Sequence, residues 1–142
     1  VFGSRFIGGH SHRVLYFYHY LANKLLTFCS NLLTNLNMTD IESCYKAFRT
    51  PILQHIPLKS RGFGMEVEIT AVLGKTRCRV FEVPISYYGR TYEEGKKIGP
   101  LDGLWALWYV LWFNLAVRLS GRYRSSVAAI NQWLARQPST QQ

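Results

Sequence analysis

Fifteen consecutive residues, Gly103 to Val117, carry no charge, and three of them are tryptophans. A segment this apolar must be covered by the chain's own core, by a bilayer, or by the boundary between bilayer and water. Crossing a bilayer takes about 20 apolar residues, and Asn114 interrupts this run. Trp105, Trp108 and Trp112 recur at spacings of three and four, so a helix puts them on one side. Arg118, Arg122 and Arg124 follow directly. Aromatic rings at headgroup depth, with arginines beside lipid phosphates, are the pattern of a helix lying in the membrane interface. The expectation is therefore an amphipathic helix from about Asp102 to Leu119 on a membrane surface. A helix packed into the core is the rival reading.

The charge distribution points the same way. The chain has a net charge of +9, yet all eight acids lie between Asp40 and Asp102. Both ends are purely basic: Arg5, Arg13 and Lys24 on one side, Arg118, Arg122, Arg124 and Arg136 on the other. Unbalanced positive ends suit a phosphate-bearing surface, either membrane or nucleic acid. A nucleic-acid module would interleave aromatics with Lys and Arg. Here the aromatics sit in apolar runs, which argues against nucleic acid as a partner. Cys29, Cys44 and Cys78 are far apart and form no CxxC or zinc-like spacing. They read as small, reduced core residues. The chain opens at Val1 with no Met and no charged-then-apolar leader, and is expected to be a fragment or a processed chain.

Periodicity predicts a long helix over about Arg13 to Leu33. Val14, Tyr18, Leu21, Leu25, Phe28 and Leu32 make one face. Leu15, Ala22, Leu26, Cys29 and Leu33 widen it, so burial over much of the circumference is expected. Short helices are expected over Phe48 to Pro57 and Met65 to Leu73, and another over Ser125 to Ala135. Cys78 to Tyr88 reads as a strand, with Phe81, Val83, Ile85 and Tyr87 on one face and Pro84 marking an edge or an end. Helices alternating with a strand imply an α/β layer architecture, seen in part. Residues 1–100 read as the main domain, 101–136 as juxtamembrane helices, and 137–142 as a disordered tail.

Three segments concentrate polar groups. Asp40 and Glu42 are two residues apart, and on extended backbone they share a side. Such carboxylates act as a general base or orient a phosphate, but on spacing alone Thr39 or Asp40 as a helix N-cap is the favoured reading. Glu66 and Glu68 open a predicted helix, where acids complement the dipole. The loop after Tyr87 combines Arg90, Lys96 and Lys97 with Gly89 and Gly95. Arginine offers a bidentate fork for phosphate, lysine a point charge, and glycine a close backbone approach.

Taken in order, these segments resemble the family 2 glycosyltransferases of the polyprenyl-phosphate type, the group of dolichyl-phosphate mannose synthase. Val1-Phe-Gly-Ser-Arg5 resembles that family's strand ending in Gly-Ser/Thr-Arg. Asn35-Leu-Asn-Met-Thr-Asp40, followed by Glu42-Ser-Cys-Tyr-Lys46, resembles its acceptor-side motif, although many relatives read Thr/Ser-Gly-Phe-Arg after the Asp. Glu82-Val-Pro-Ile-Ser86, Gly89-Arg90 and Glu94-Gly-Lys-Lys97 resemble its end segment. The likeness runs from Val1 to about Leu119.

The resemblance implies the C-terminal, acceptor-side part of a GT-A (Rossmann-like) domain. That enzyme would move a sugar from a GDP- or UDP-linked donor to a polyprenyl phosphate on the cytoplasmic face of a membrane. Asp40 would be the catalytic base or orienter, and Arg5, Arg90, Lys96 and Lys97 would bind phosphate. A divalent metal, Mg or Mn, is implied, its Asp-x-Asp ligands falling before Val1. No metal ligand is expected in this stretch, and the 142 residues alone should be inactive. The alternative from another class is a non-catalytic, membrane-binding scaffold.

Overall fold

The computed structural model describes residues 1–8, 13, 14, 16–89, 91, 93–95 and 99–137. In chain order they form β1 (Phe2–Ser4), α1 (Phe17–Thr34), α2 (Thr50–His55), α3 (Phe63–Leu73), β2 (Glu82–Pro84), α4 (Pro100–Leu119) and α5 (Gly121–Ala135). β1 and β2 pair in parallel, with Gly3 opposite Val83. The other edge of β1 is met by residues 45–47: the Gly3 amide donates to the Tyr45 carbonyl at 2.7 Å, and the Ala47 amide donates to the Val1 carbonyl at 2.9 Å. Gly3 is hemmed in between the two. A Cβ there would lie 2.8 Å from Ile85 Cγ2 and 2.9 Å from Tyr45 Cβ.

α3 is the central helix, buried continuously from Glu66 to Leu73. A helix apolar around its circumference belongs inside a core, and α1, α4 and α5 all pack on it. The shared core includes Phe2, Ile41, Val67, Val72, Val110, Phe113, Val117, Tyr123 and Ile130. The two C-terminal helices thus contribute to the same core as the first hundred residues. α4 begins where Pro100 and Asp102 require it to: proline suits the first turn, and the Asp102 carboxylate accepts the Gly99 amide at 2.8 Å.

Three expectations need correction. The strand expected over Cys78 to Tyr88 contracts to Glu82–Pro84. Pro84 lacks the amide to continue a ladder. Phe81 and Val83, two of the four residues expected to share a face, are exposed. The inward side is taken instead by Glu82, whose role appears below. Secondly, the apolar face of α1 points outward. Leu26, Thr27, Ser30 and Thr34 are the buried positions, while Tyr18 is 81% and Leu32 74% exposed. Close packing decides this: a Cβ on Gly74 would lie 2.6 Å from the Thr34 side chain, so the inner face takes small and hydroxyl-bearing residues. Thirdly, Cys44 is not a core residue. It is exposed, and its φ of 63° places it in the left-handed region. Of the tail expected over 137–142, all but Gln137 lies outside the described residues.

α4 divides as the spacing predicts. Ala106, Val110, Phe113, Asn114 and Val117 are buried. Trp105, Trp108 and Trp112 are 60%, 51% and 51% exposed, and the Trp108 and Trp112 rings stack at 6.1 Å. The three tryptophans are therefore not core residues. Among the described residues, no helix is long and apolar enough to cross a membrane.

Candidate functional site

The segment from Met38 to Lys46 follows α1 without regular structure, yet Met38 and residues 40–43 are buried. No helix starts there, so the N-cap reading of Thr39 and Asp40 does not hold. A buried irregular segment must find partners for its backbone, and side chains from other elements supply them. Asn31 of α1 acts as a surrogate strand, accepting the Met38 amide at 3.1 Å and donating to the Met38 carbonyl at 2.8 Å. Glu82 of β2 accepts the Thr39 amide at 2.9 Å, the Thr39 hydroxyl at 3.2 Å and the Asp40 amide at 3.2 Å.

This turn delivers Asp40 to Arg5, which stands just past β1. Asp40 is fully buried. Arg5 Nε donates to Oδ2 at 2.6 Å and Nη2 donates to Oδ1 at 2.7 Å, a fork-to-carboxylate pair, while the Arg5 amide donates to Oδ2 at 3.1 Å. Burial works against the Arg5 charge, but the hydrogen bonds and charge of Asp40 outweigh it and hold the guanidinium above its ordinary value. Nη2 also donates to Asn23 Oδ1 at 3.2 Å. The Tyr87 side chain also favours the Arg5 charge, through a hydrogen bond and electrostatically. The guanidinium lies over the Tyr87 ring at 5.2 Å and the Phe6 ring at 5.3 Å. Lys24 brings a second cation, 4.3 Å from the Phe6 ring centroid.

Beneath this pair lies a second set of charges. Lys46 Nζ is bound by Glu66 and donates to the Ile41 carbonyl at 3.0 Å. Glu66 also accepts the Cys44 amide at 3.2 Å. Glu68, fully buried, accepts the Lys59 and Ser60 amides, the Ser60 hydroxyl at 2.5 Å and the Tyr123 hydroxyl at 2.6 Å. Glu66 and Glu68 therefore serve as anchors for neighbouring segments, beyond the dipole role the sequence suggests. Glu42 differs from the others. It is buried, and neither carboxyl oxygen has a hydrogen-bond partner among the described residues. Desolvation and the neighbouring Glu66 push its carboxyl up to about 8, against the opposing pull of Lys46 and Arg5.

Of the expected site residues, the structure brings Asp40 and Arg5 together. Arg90, Lys96 and Lys97 lie outside the described residues. The neighbouring part of their loop is tied down: Arg13 donates to the Gly89 carbonyl at 3.1 Å and pairs with Glu94 at 2.8 Å, and Glu94 accepts the Thr91 amide at 2.7 Å. Sequence reasoning missed Asn23, Lys24 and the bracing role of Glu82. The Glu82-Val-Pro-Ile-Ser86 motif pointed to that residue without giving its task. Among the described residues no three His, Cys, Asp or Glu side chains come together as a metal site.

No family model matches the chain. No solved structure matches it significantly. Among curated proteins, the chain is similar to an undecaprenyl-phosphate mannosyltransferase of Micrococcus luteus, 31% identical over 107 residues that cover 70% of this chain and 44% of that protein. The chain thus spans less than half the length of the curated relative it matches.

Proposed function

We propose that this chain is the acceptor-side part of a GT-A glycosyltransferase that moves a sugar from a GDP- or UDP-linked donor to a polyprenyl phosphate at the cytoplasmic surface of a membrane. The observation that carries this reading is the buried Arg5–Asp40 fork at the head of a parallel strand pair. It joins the motif order and the similarity to a polyprenyl-phosphate mannosyltransferase.

A lipid phosphate is already a competent nucleophile, so catalysis here is mainly positioning. Asp40, with both oxygens committed to Arg5, orients the guanidinium and does not need to remove a proton. Arg5 and Lys24, the two cations that share the Phe6 ring, are assigned to the acceptor phosphate. A phosphate oxygen attacks the anomeric carbon, the bond from that carbon to the donor diphosphate breaks, and the nucleoside diphosphate leaves with the electron pair. Arg90, Lys96 and Lys97 are assigned to the phosphates whose charge grows in that step. Donor binding and the Mg or Mn ion are assigned to the part of the enzyme that this stretch does not cover.

The test is transfer from GDP- and UDP-sugars to a polyprenyl phosphate by the full-length protein carrying these residues. Arg5→Lys keeps the charge and loses the fork, and Asp40→Asn releases the orientation. Misplacing a reacting group by about 1 Å costs about a hundredfold, so each variant is expected to lose at least that much turnover while its circular dichroism stays native. Near-normal turnover by both folded variants would remove the pair from the reaction. No transfer by the unmodified protein would remove the function itself.

A further inference from the structure

A cleft of about 470 Å³ opens where Lys75, just past α3, meets the end of α4 and one face of α5. Val117, Val127 and Ala128 supply its apolar lining, and Lys75, Arg118, Arg124 and Asn131 its polar lining. No acid lines it. The chain has no acid after Asp102, so neither α5 nor the greater part of α4 can supply one. Among the described residues no carboxylate pairs with Arg118 or Arg124. Lys75 donates to the Leu33 carbonyl at 3.1 Å, which fixes its ammonium. Burial and the charge of Arg118 both weigh against that ammonium. Three cations held together in one cleft without a counterion repel one another, and an anion relieves the repulsion.

The surroundings indicate what kind of anion. Arg118 lies three residues after Leu115 and seven after Leu111, so on α4 it stands beside both. Both leucines are exposed and belong to the same outward stripe as Trp108 and Trp112. An anion at Arg118 therefore has an aliphatic track leading away from it. A nucleic-acid backbone would find no use for that track, whereas an amphiphile needs it.

We propose that this cleft is a binding site for the headgroup of an anionic membrane phospholipid, its phosphate held by Lys75, Arg118 and Arg124 and its acyl chains laid along Leu111 and Leu115. The site deepens the proposed membrane placement of α4 and rests on it. It adds a defined lipid contact, and it draws in Lys75, which lies outside the two C-terminal helices.

The test uses the full-length protein and vesicles of phosphatidylcholine with or without phosphatidylglycerol. Lys75→Gln with Arg124→Gln removes two cleft charges. Arg61→Gln with Arg136→Gln removes two charges from outside the cleft lining. Each basic residue near an anionic surface contributes about fivefold in affinity. The cleft pair is expected to lower the preference for phosphatidylglycerol by about tenfold or more, and the control pair by about twofold or less, with melting temperatures unchanged. Equal losses in the two pairs, or none in the cleft pair, would overturn the site. Trp105, Trp108 and Trp112 changed to Ala test the membrane placement separately, through binding to phosphatidylcholine alone. If that binding persists while thermal stability falls, the placement of α4 fails; if it is lost while the two charge pairs behave alike, only the cleft fails.

Discussion

Replacing Glu42 by glutamine should make the protein more stable at pH 8 and leave it little changed at pH 5. Glu42 is only 6% exposed, with no partner for either oxygen, and desolvation and Glu66 raise its carboxyl from 4.5 to about 8. Between those two values the folded chain keeps a proton that the unfolded chain has released. Stability from this group is thus fully present below about 4.5, falls as pH rises through the window, and levels off above about 8. Each unit of difference is worth about 1.4 kcal/mol, which puts the whole effect at about 3–5 kcal/mol. That is a large share of the stability of a domain this size. Glutamine has the shape of the protonated acid and cannot ionise, so it removes the slope. Urea midpoints at constant m, measured from pH 5 to pH 8 for both proteins, give the difference directly. The parent and Glu42→Gln curves should diverge steadily toward pH 8. Parallel curves across that range would show that Glu42 is ionised in the folded chain and that its burial is not what the structure indicates.

Two further substitutions test the packing that holds the site. Tyr123→Phe leaves Glu68 with one donor fewer, and the lost 2.6 Å bond in a buried position should cost about 1–3 kcal/mol, read as a lower melting temperature. Gly3→Ala drives a methyl group against Ile85 and Tyr45, contacts of 2.8 Å and 2.9 Å. It should destabilise by about 1–3 kcal/mol, and a neutral result would mean that β1 and the 45–47 segment are not in register as described.

The helices were legible in the sequence because their signals are local. Pro51, Pro100 and Asp102 mark helix starts, and apolar spacing of three and four marks their length. What the sequence could not settle was which apolar face turns inward. On α1 the large residues Tyr18, Leu21, Leu25, Phe28 and Leu32 outweigh Thr27, Ser30 and Thr34 in any hydrophobicity argument, and yet the smaller set is buried. The close approach of Gly74 to Thr34, forty residues away, determines that, and no window of sequence contains both. The strand fared similarly. Alternation correctly located β2 around Val83, but its inner side is set by a hydrogen-bonding task, the bracing of Thr39 and Asp40 by Glu82. The site itself was half visible: Asp40 and Arg5 stood out by motif, whereas Asn23 and Lys24 sit on a helix whose pattern gives no reason to single them out.

The buried carboxylates explain why so short a stretch of regular strand can hold Arg5 in place. Breaking a buried ion pair costs more than forming it gains, so such pairs contribute specificity of position more than net stability. Glu82 fixes the backbone of Asp40, Asp40 fixes the fork of Arg5, and Glu66 fixes Lys46 and the Cys44 amide behind them. Each link connects segments far apart in sequence, so the segment from Met38 to Lys46 is held without being helix or sheet. Glu42 sits in the middle of this arrangement with its oxygens unpaired. Its ionisation adds a negative charge between Asp40 and Glu66, and the groups able to answer it are Lys46 and Arg5. Drawing Arg5 toward Glu42 would weaken the fork to Asp40. The charge state of Glu42 and the orientation of Arg5 are therefore coupled. Turnover that depends on that orientation should fall in the parent as pH rises toward 8 and should hold steady in Glu42→Gln.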